Sequence, residues 1–238
     1  MTKPTEKHPD PQQNALLAAL SKIDAGRWEG KLQHVDLSLG DVVYEAGQAQ
    51  SHVYFPTTAI VSLLYVMLDG ASAEIAVVGR EGVVGIALFM GGESTPSRAV
   101  VQSAGGALRM RSSDIKAEFA TSLDAMHLLL RYTQALITQM AQTAVCNRHH
   151  RLEQQLCRWL LLSLDRLDTQ HLVMTQELIA NMLGVRREGV TEAAMKLQKL
   201  GLIDYARGRI EVLDRPGLEA RTCECYSVVK REYDRLLT

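Results

Sequence analysis

The chain has 238 residues, 47% of them hydrophobic and 22% charged, with a formal net charge of -1. That length allows one large domain or two small ones with a packed core. The absence of an apolar run of 18 or more residues, and of an apolar core behind Met1-Thr2-Lys3-Pro4, argues against a membrane span or a secretory signal. The expected location is the cytoplasm, with no membrane partner and with Cys146, Cys157, Cys223 and Cys225 as reduced thiols.

The charge is unevenly divided. Residues 1–147 hold 11 Lys+Arg against 14 Asp+Glu, and residues 148–238 hold 15 against 13. A slightly basic C-terminal part is the sign expected for nucleic-acid contact.

In chain order, residues 1–12 are polar and aperiodic and predict a disordered tail. Leu16, Leu17 and Leu20 predict a short helix over 13–23. From residue 32 to about 111, short alternating apolar runs are broken by glycines, with a hairpin turn at Asp69-Gly70. Strands at this spacing suggest an antiparallel sandwich or jelly roll, assigning a sensor domain to 13–122. Ser112-Ser113-Asp114 reads as a helix start. Leu123, Met126, Leu130, Thr133, Ile137, Met140 and Ala144 then step by three and four, a heptad seam of about three repeats. It fits a dimerisation helix over 123–146, or a helix packed on its own domain. Leu129 and Leu136 form a second apolar edge that allows both. Asn147-Arg148-His149-His150 interrupts the pattern as a hinge, and residues 152–167 form another amphipathic helix.

The stretch from 172 to 213 is the most informative. Thr175 offers an N-cap oxygen to a helix with Ile179, Ala180 and Leu183 on its apolar face, and Gly184 supplies a turn. A second helix opens on Arg186-Arg187-Glu188 and carries Val190, Ala193 and Leu197 inward. Two strands then flank Arg207-Gly208 as a wing. This is a winged helix-turn-helix, assigned to 147–238, and its basic helix start is where such motifs place base-reading side chains.

A glycine-punctuated β-domain, a heptad helix and a winged helix-turn-helix, in that order, resemble the Crp/Fnr superfamily of bacterial transcription regulators. The resemblance runs from about residue 32 to 212 and is most specific over Thr175-Gln176-Glu177 through Gly184 to Arg187-Glu188-Gly189-Val190. Gly79-Arg80-Glu81-Gly82-Val83-Val84-Gly85 and Cys223-Glu224-Cys225-Tyr226 are similar to a poorly characterised proteobacterial branch. The resemblance implies an α+β fold: a cyclic-nucleotide-binding-like β jelly roll, a long dimerisation helix and the winged motif. It also implies a homodimer that reads a pseudo-palindrome in double-stranded DNA. RNA polymerase would be a further partner in activation, through a surface that no motif marks.

Arg187 can donate two parallel hydrogen bonds to guanine, and Glu188 can accept from cytosine. A second arginine of the family, one helical turn on, is replaced here by Glu192, which argues for a different half-site. Gly189 offers close approach to a base, while Thr175, Gln176, Arg186 and Thr191 flank the reading pair. Arg207 and Arg209 on the wing, with Lys196, are candidates for phosphate contact; Lys196 and Lys199 fit a solvated helix face equally well.

Ligand-binding members hold ribose with a glutamate after a glycine, and cyclic phosphate with an Arg-Ser or Arg-Thr pair. Here residues 82–89 occupy that cassette, with Gly85-Ile86 inside it and no glutamate, and Arg98 is followed by Ala99. Those four residues mark the effector pocket, but they argue against cyclic AMP; another small molecule, or none, fits as well. The cofactor expectation is none. No cysteine precedes Cys146, where iron–sulfur members carry theirs. On one continuous helix Cys146, His149 or His150, and Cys157 would share a face able to take zinc or haem iron, but buried thiols beside a polar hinge are the plainer reading, so no metal residues are assigned. Cys223 and Cys225 could ligate together only off a helix.

A sensor module acting through protein contacts instead of DNA is the competing class. An enzyme is a third, for which no Ser/His/Asp, HExxH or Walker-type spacing is present.

Overall fold

A computed structural model describes residues 10–23, 28 and 30–237. The first nine residues of the predicted tail lie outside these; the rest of it is ordered, with Pro11–Gln13 forming a 3-10 turn capped by the Asp10 carboxylate.

Helix α1 (Ala15–Ile23) buries Leu16, Leu17 and Leu20. The fully buried Asn14 fixes it in place: its Oδ1 accepts from Leu17 N, and its Nδ2 donates to the carbonyls of Pro56 and Gly82. Seven strands follow: β1 (Gln33–Leu37), β2 (Val42–Tyr44), β3 (His52–Pro56), β4 (Ile60–Val66), β5 (Ser72–Val78), β6 (Arg98–Ser103) and β7 (Gly105–Arg111). They pair antiparallel in two sheets, β1-β7-β3 and β2-β6-β4-β5. Val53, Phe55, Val61, Leu63, Ala76, Val78, Leu108 and Met110 alternate inward to fill the core.

Helix α2 (Ser112–Thr121) starts at the predicted serines, and α3 (Leu123–His149) is capped by Ser122, whose hydroxyl accepts from Ala125 N. The hinge expected over 147–150 falls at its end: Asn147 to His149 continue α3, His150 and Arg151 are both extended, and α4 (Leu152–Leu164) starts after them. Then come β8 (His171–Val173), α5 (Gln176–Leu183), α6 (Arg187–Lys199), β9 (Ile203–Ala206), β10 (Arg209–Val212), α7 (Arg215–Arg221) and α8 (Glu224–Leu237).

The wing therefore has three strands in the order β8-β10-β9, where the sequence suggested two. Helices α7 and α8 were not anticipated. Helix α8 folds back on α3, burying Tyr226, Val229, Tyr233 and Leu236, with the Tyr132 and Tyr233 rings edge-on at 6.4 Å.

The glycines of Gly79-Arg80-Glu81-Gly82 do more than turn the chain. A Cβ on Gly82 would lie 2.3 Å from the Tyr132 ring, and one on Gly79 would lie 2.7 Å from Arg166 Cβ. Their missing side chains let α3 and the end of α4 close on the β-domain. The Tyr132 hydroxyl donates to Val83 O at 3.0 Å, and Arg166 pairs with Glu81 at 2.7 Å.

A buried polar network runs from the β-domain to α4. Ser62 Oγ lies 2.5 Å from Glu74 Oε2 and 2.8 Å from Gln102 Oε1, and Gln102 Nε2 donates to Ser163 Oγ at 2.8 Å. Ser62 has one hydrogen to donate and two acceptor oxygens in reach, Glu74 Oε2 and Gln102 Oε1, so it cannot serve both at once and a charged Glu74 is incompletely satisfied here. Burial accordingly pushes Glu74 up from 4.5 to about 7, against the Ser62 hydrogen bond and the charges of Arg158 and Arg166. A carboxyl held neutral only in the folded state adds stability below its unfolded value and loses it as pH rises through about 7. The loss is about 3 kcal/mol. Urea unfolding of wild type and Glu74→Gln at pH 5 and pH 8 should show a fall in wild-type stability that the glutamine variant lacks; parallel profiles would contradict a neutral Glu74.

Candidate nucleic-acid interface

The helix-turn-helix is built from local signals. Thr175 Oγ1 accepts from Leu178 N at 3.2 Å to cap α5, and Gly184, at φ +66°, ends it in the left-handed conformation that glycine adopts without strain. Val190, Ala193, Ala194 and Leu197 bury the inner face of α6. The wing turn is a two-residue loop with positive φ at both Arg207 (+51°) and Gly208 (+77°), as a type I′ hairpin requires.

Four predicted residues converge. A groove of about 460 Å³ is lined by Thr175, Gln176, Glu177, Arg187, Tyr205, Arg207 and Gly208, so the start of α6 and the wing tip open on one space. Thr191 Oγ1 donates to Gln176 Oε1 at 2.7 Å and lies 3.0 Å from Arg187 O, which ties the first turn of α6 to the first turn of α5. Tyr205 donates to Met174 O at 2.8 Å, and burial pushes its phenol up to about 12. The walls of the groove are thus braced while Arg186, Arg187, Glu188 and Arg207 remain exposed.

The other predicted residues separate from this group. Arg209 is exposed on β10, and Lys196 is paired to Glu192 at 3.2 Å one turn back on the same helix. At Gly189 a Cβ would meet Leu152 Cδ2 at 2.8 Å, so its lack of a side chain also serves the packing of α6 against α4.

Arg207 occupies a backbone region that disfavours its side chain and favours asparagine. Arg207→Asn should therefore hold or raise thermal stability, by up to about 1 kcal/mol, while lowering the salt dependence of DNA binding by about one phosphate contact. An unchanged salt slope would remove Arg207 from the interface.

On α3, the two apolar edges part. Leu128, Leu129, Tyr132, Ala135, Leu136 and Gln139 are buried within the chain, whereas Leu123 is 63%, Leu130 43% and Ile137 53% exposed. Met126 and Met140 are half-buried and Ala144 is exposed. Thr133 differs from its seam: it is 4% exposed and its hydroxyl bonds Leu129 O at 2.9 Å, so it belongs to the inner edge.

In the β-domain, Gly85 (φ +107°) caps the 3-10 turn Ile86–Leu88, Ala99 is fully buried, and Arg98 pairs with Glu45 at 3.1 Å. An anion reaching Arg98 would have to displace that carboxylate. A cleft of about 1500 Å³ lies elsewhere; it is lined by residues including His34, Arg80, Glu81, Asp165, Arg166, Lys230 and Tyr233, between the β-domain and α8.

The cysteines are grouped differently from the sequence expectation. The break at His150-Arg151 turns Cys157 away from the end of α3, and it is buried. Cys146 and His150 instead meet Cys223, in the non-helical link before α8, and Cys225, in the first turn of α8. No metal residues were anticipated, because these ligands come from points 77 residues apart.

A family model of the cyclic nucleotide-binding domain matches residues 34–122, and one of the Crp-like helix-turn-helix domain matches residues 154–221. No curated protein matches the chain. Among solved structures, FixK2 from Bradyrhizobium japonicum is similar with a TM-score of 0.67 and 16% identity, over 81% of this chain and 98% of that one. A protein described as a Crp/Fnr-family transcriptional regulator from Eubacterium rectale has a TM-score of 0.66 and 15% identity, over 92% and 97%. A CRP-family transcriptional regulator from Thermus thermophilus, TTHB099, has a TM-score of 0.65 and 19% identity, over 79% and 95%. No helix among the described residues is long and apolar enough to cross a membrane. At these identities the solved structures speak for the fold, and the two domain matches, in this order on one chain, speak for the lineage. The chain belongs to the Crp/Fnr superfamily of bacterial transcription regulators and carries its helix-turn-helix DNA-binding domain.

Proposed function

We propose that the protein is a homodimer that reads a pseudo-palindromic DNA site, one half-site per α6, under control of a signal received by the β-domain. The observation that carries this reading is the groove in which exposed Arg187 stands between the capped start of α5 and the wing. Arg187 and Glu188 supply base contacts, and Arg186, Arg207, Arg209, Thr175 and Gln176 supply phosphate contacts.

Pairing two copies along the outer edge of α3 accounts for Leu123, Leu130 and Ile137, which are large, apolar and at heptad spacing. A twofold axis along that helix would set two recognition helices one duplex turn apart, about 34–36 Å. The helix break at His150-Arg151 is the joint about which the DNA-binding parts would be re-aimed.

Sedimentation of the purified protein tests the dimer. Wild type is expected to be a dimer at micromolar concentration, and Ile137→Glu, which sets two carboxylates against each other across the axis, is expected to be a monomer with weakened site binding. A wild-type monomer that binds its site undiminished would overturn the proposal.

A further inference from the structure

Four metal-ligating side chains that the DNA-reading surface does not use converge where α3 ends and α8 begins. The sulfurs of Cys146, Cys223 and Cys225 and a ring nitrogen of His150 all lie within 4.8 Å of one another. Cys146 Sγ is 3.5 Å from Cys223 Sγ, and Cys225 Sγ is 3.6 Å from His150 Nδ1. All three thiols are buried and none is in a disulfide.

These separations are those of ligands around one ion. With metal–sulfur bonds of about 2.3 Å and metal–nitrogen bonds of about 2.0 Å, a tetrahedral shell puts sulfurs about 3.8 Å apart and sulfur and nitrogen about 3.6 Å apart. A disulfide would need sulfurs at about 2.05 Å. An iron–sulfur cluster would need room for several irons and sulfides between the ligands, which a 4.8 Å group does not leave.

The geometry points to a closed mononuclear Zn²⁺ site of the Cys₃His type, formed by Cys146, His150, Cys223 and Cys225, that fastens α8 to the hinge. Thiolates with one imidazole select zinc over magnesium or calcium, and four protein ligands leave no open position for chemistry.

The surroundings suit that role. His150 turns Nδ1 toward Cys225 while its Nε2 lies 3.4 Å from Glu224 Oε2, the carboxylate–histidine arrangement that orients a metal-bound ring. Gln155 Nε2 donates to His150 O at 2.9 Å and steadies the end of α3. Cys223 stands at the N-terminus of α8, where backbone N–H groups favour a thiolate. Three thiolates and Zn²⁺ sum to one negative charge. Arg158, which is buried and donates to Thr143 Oγ1 at 3.0 Å, sets a positive charge one helical turn from Cys146.

The site stands apart from the DNA-reading surface, and the full chain serves to test it. Reduced protein is stripped with a chelator and titrated with Co²⁺. The expected result is one Co²⁺ per chain, with thiolate-to-cobalt charge-transfer bands and the intense visible bands of a tetrahedral ion, displaced by one equivalent of Zn²⁺. Tm should rise by about 5 °C or more with Zn²⁺ at a hundredfold excess over its Kd. Cys225→Ser should lose the charge-transfer spectrum, and Cys157→Ser should keep it. Absence of those bands from the wild type, or their persistence in both Cys225→Ser and Cys223→Ser, would overturn the site; the wild-type spectrum alone decides it if the variants fail to fold.

Discussion

Arg187→Ala is expected to weaken binding to the specific operator by about 1–3 kcal/mol, about 5- to 150-fold in Kd, while affinity for random duplex changes far less. The side chain is exposed at the first position of α6 and faces the groove shared with the wing. Nothing in the fold calls for a cation there. With Arg186 at the N-cap, it puts two positive charges at the positive end of a helix dipole, an arrangement that costs about 0.3–1 kcal/mol per charge. The variant should therefore be as stable as wild type, or slightly more so, which separates lost recognition from lost folding. Electrophoretic or anisotropy titrations with operator and scrambled duplexes measure the ratio. An equal loss on both would make Arg187 a phosphate contact and move base reading elsewhere on α6.

The largest stability effect is expected at Arg166. Its side chain is 6% exposed and joins four parts of the molecule. Nε pairs with Glu81 at 2.7 Å, Nη1 donates to Leu162 O at 2.6 Å, Nη2 reaches Gln139 Oε1 at 3.3 Å, and the guanidinium stands 5.8 Å from the centre of the Tyr233 ring. Arg166→Ala would leave the largely buried Glu81 carboxylate without its cation and open a gap under Tyr233. Breaking such a pair from one side costs about 3–5 kcal/mol, which should be read as a lowered urea midpoint. Replacing both partners by apolar residues, Arg166→Met with Glu81→Met, should recover much of the loss, because the penalty lies in the stranded charge. A single-variant loss below about 1 kcal/mol would reduce Arg166 to the standing of a surface pair. Arg166 ties the β-domain to α3, α4 and α8, so its removal should also loosen the orientation of the DNA-binding part.

The parts of this molecule that were legible in the sequence are those specified by near neighbours. The Thr175 cap, the Gly184 turn and the Arg207-Gly208 hairpin each act within four residues, and all three are where the pattern puts them. The alternation of the jelly roll and the break near His150 were equally local. The third wing strand was not, because β8 is three residues long and is defined by its pairing with β10 nearly forty residues later. Helices α7 and α8 do carry local signals: Asp214 followed by Arg215-Pro216 is a helix start, and Cys225, Tyr226, Val229, Tyr233 and Leu236 fall at helical spacing.

What the sequence did not disclose shares one cause. Gly189 follows the candidate base-reading pair in sequence, but the space beside its Cα is taken by Leu152, brought there by the packing of α4 against α6. The packing roles of Gly79 and Gly82 were hidden because the bulk they accommodate, Arg166 and Tyr132, arrives from far along the chain. The thiol cluster was hidden for the same reason. A continuous helix through 146–157 would align Cys157 with Cys146, and only the break at His150-Arg151, together with the return of α8, exchanges Cys157 for Cys223 and Cys225.

Base reading by a dimer is tested most directly by selection from a random duplex library with the purified protein, followed by sequencing of what is retained. The expected result is an enriched inverted repeat with half-sites one duplex turn apart, in which the base pair read by Arg187 loses its preference when Arg187→Ala is used for the selection. Enrichment of a single, non-repeated half-site, or retention that depends on salt but not on sequence, would contradict it.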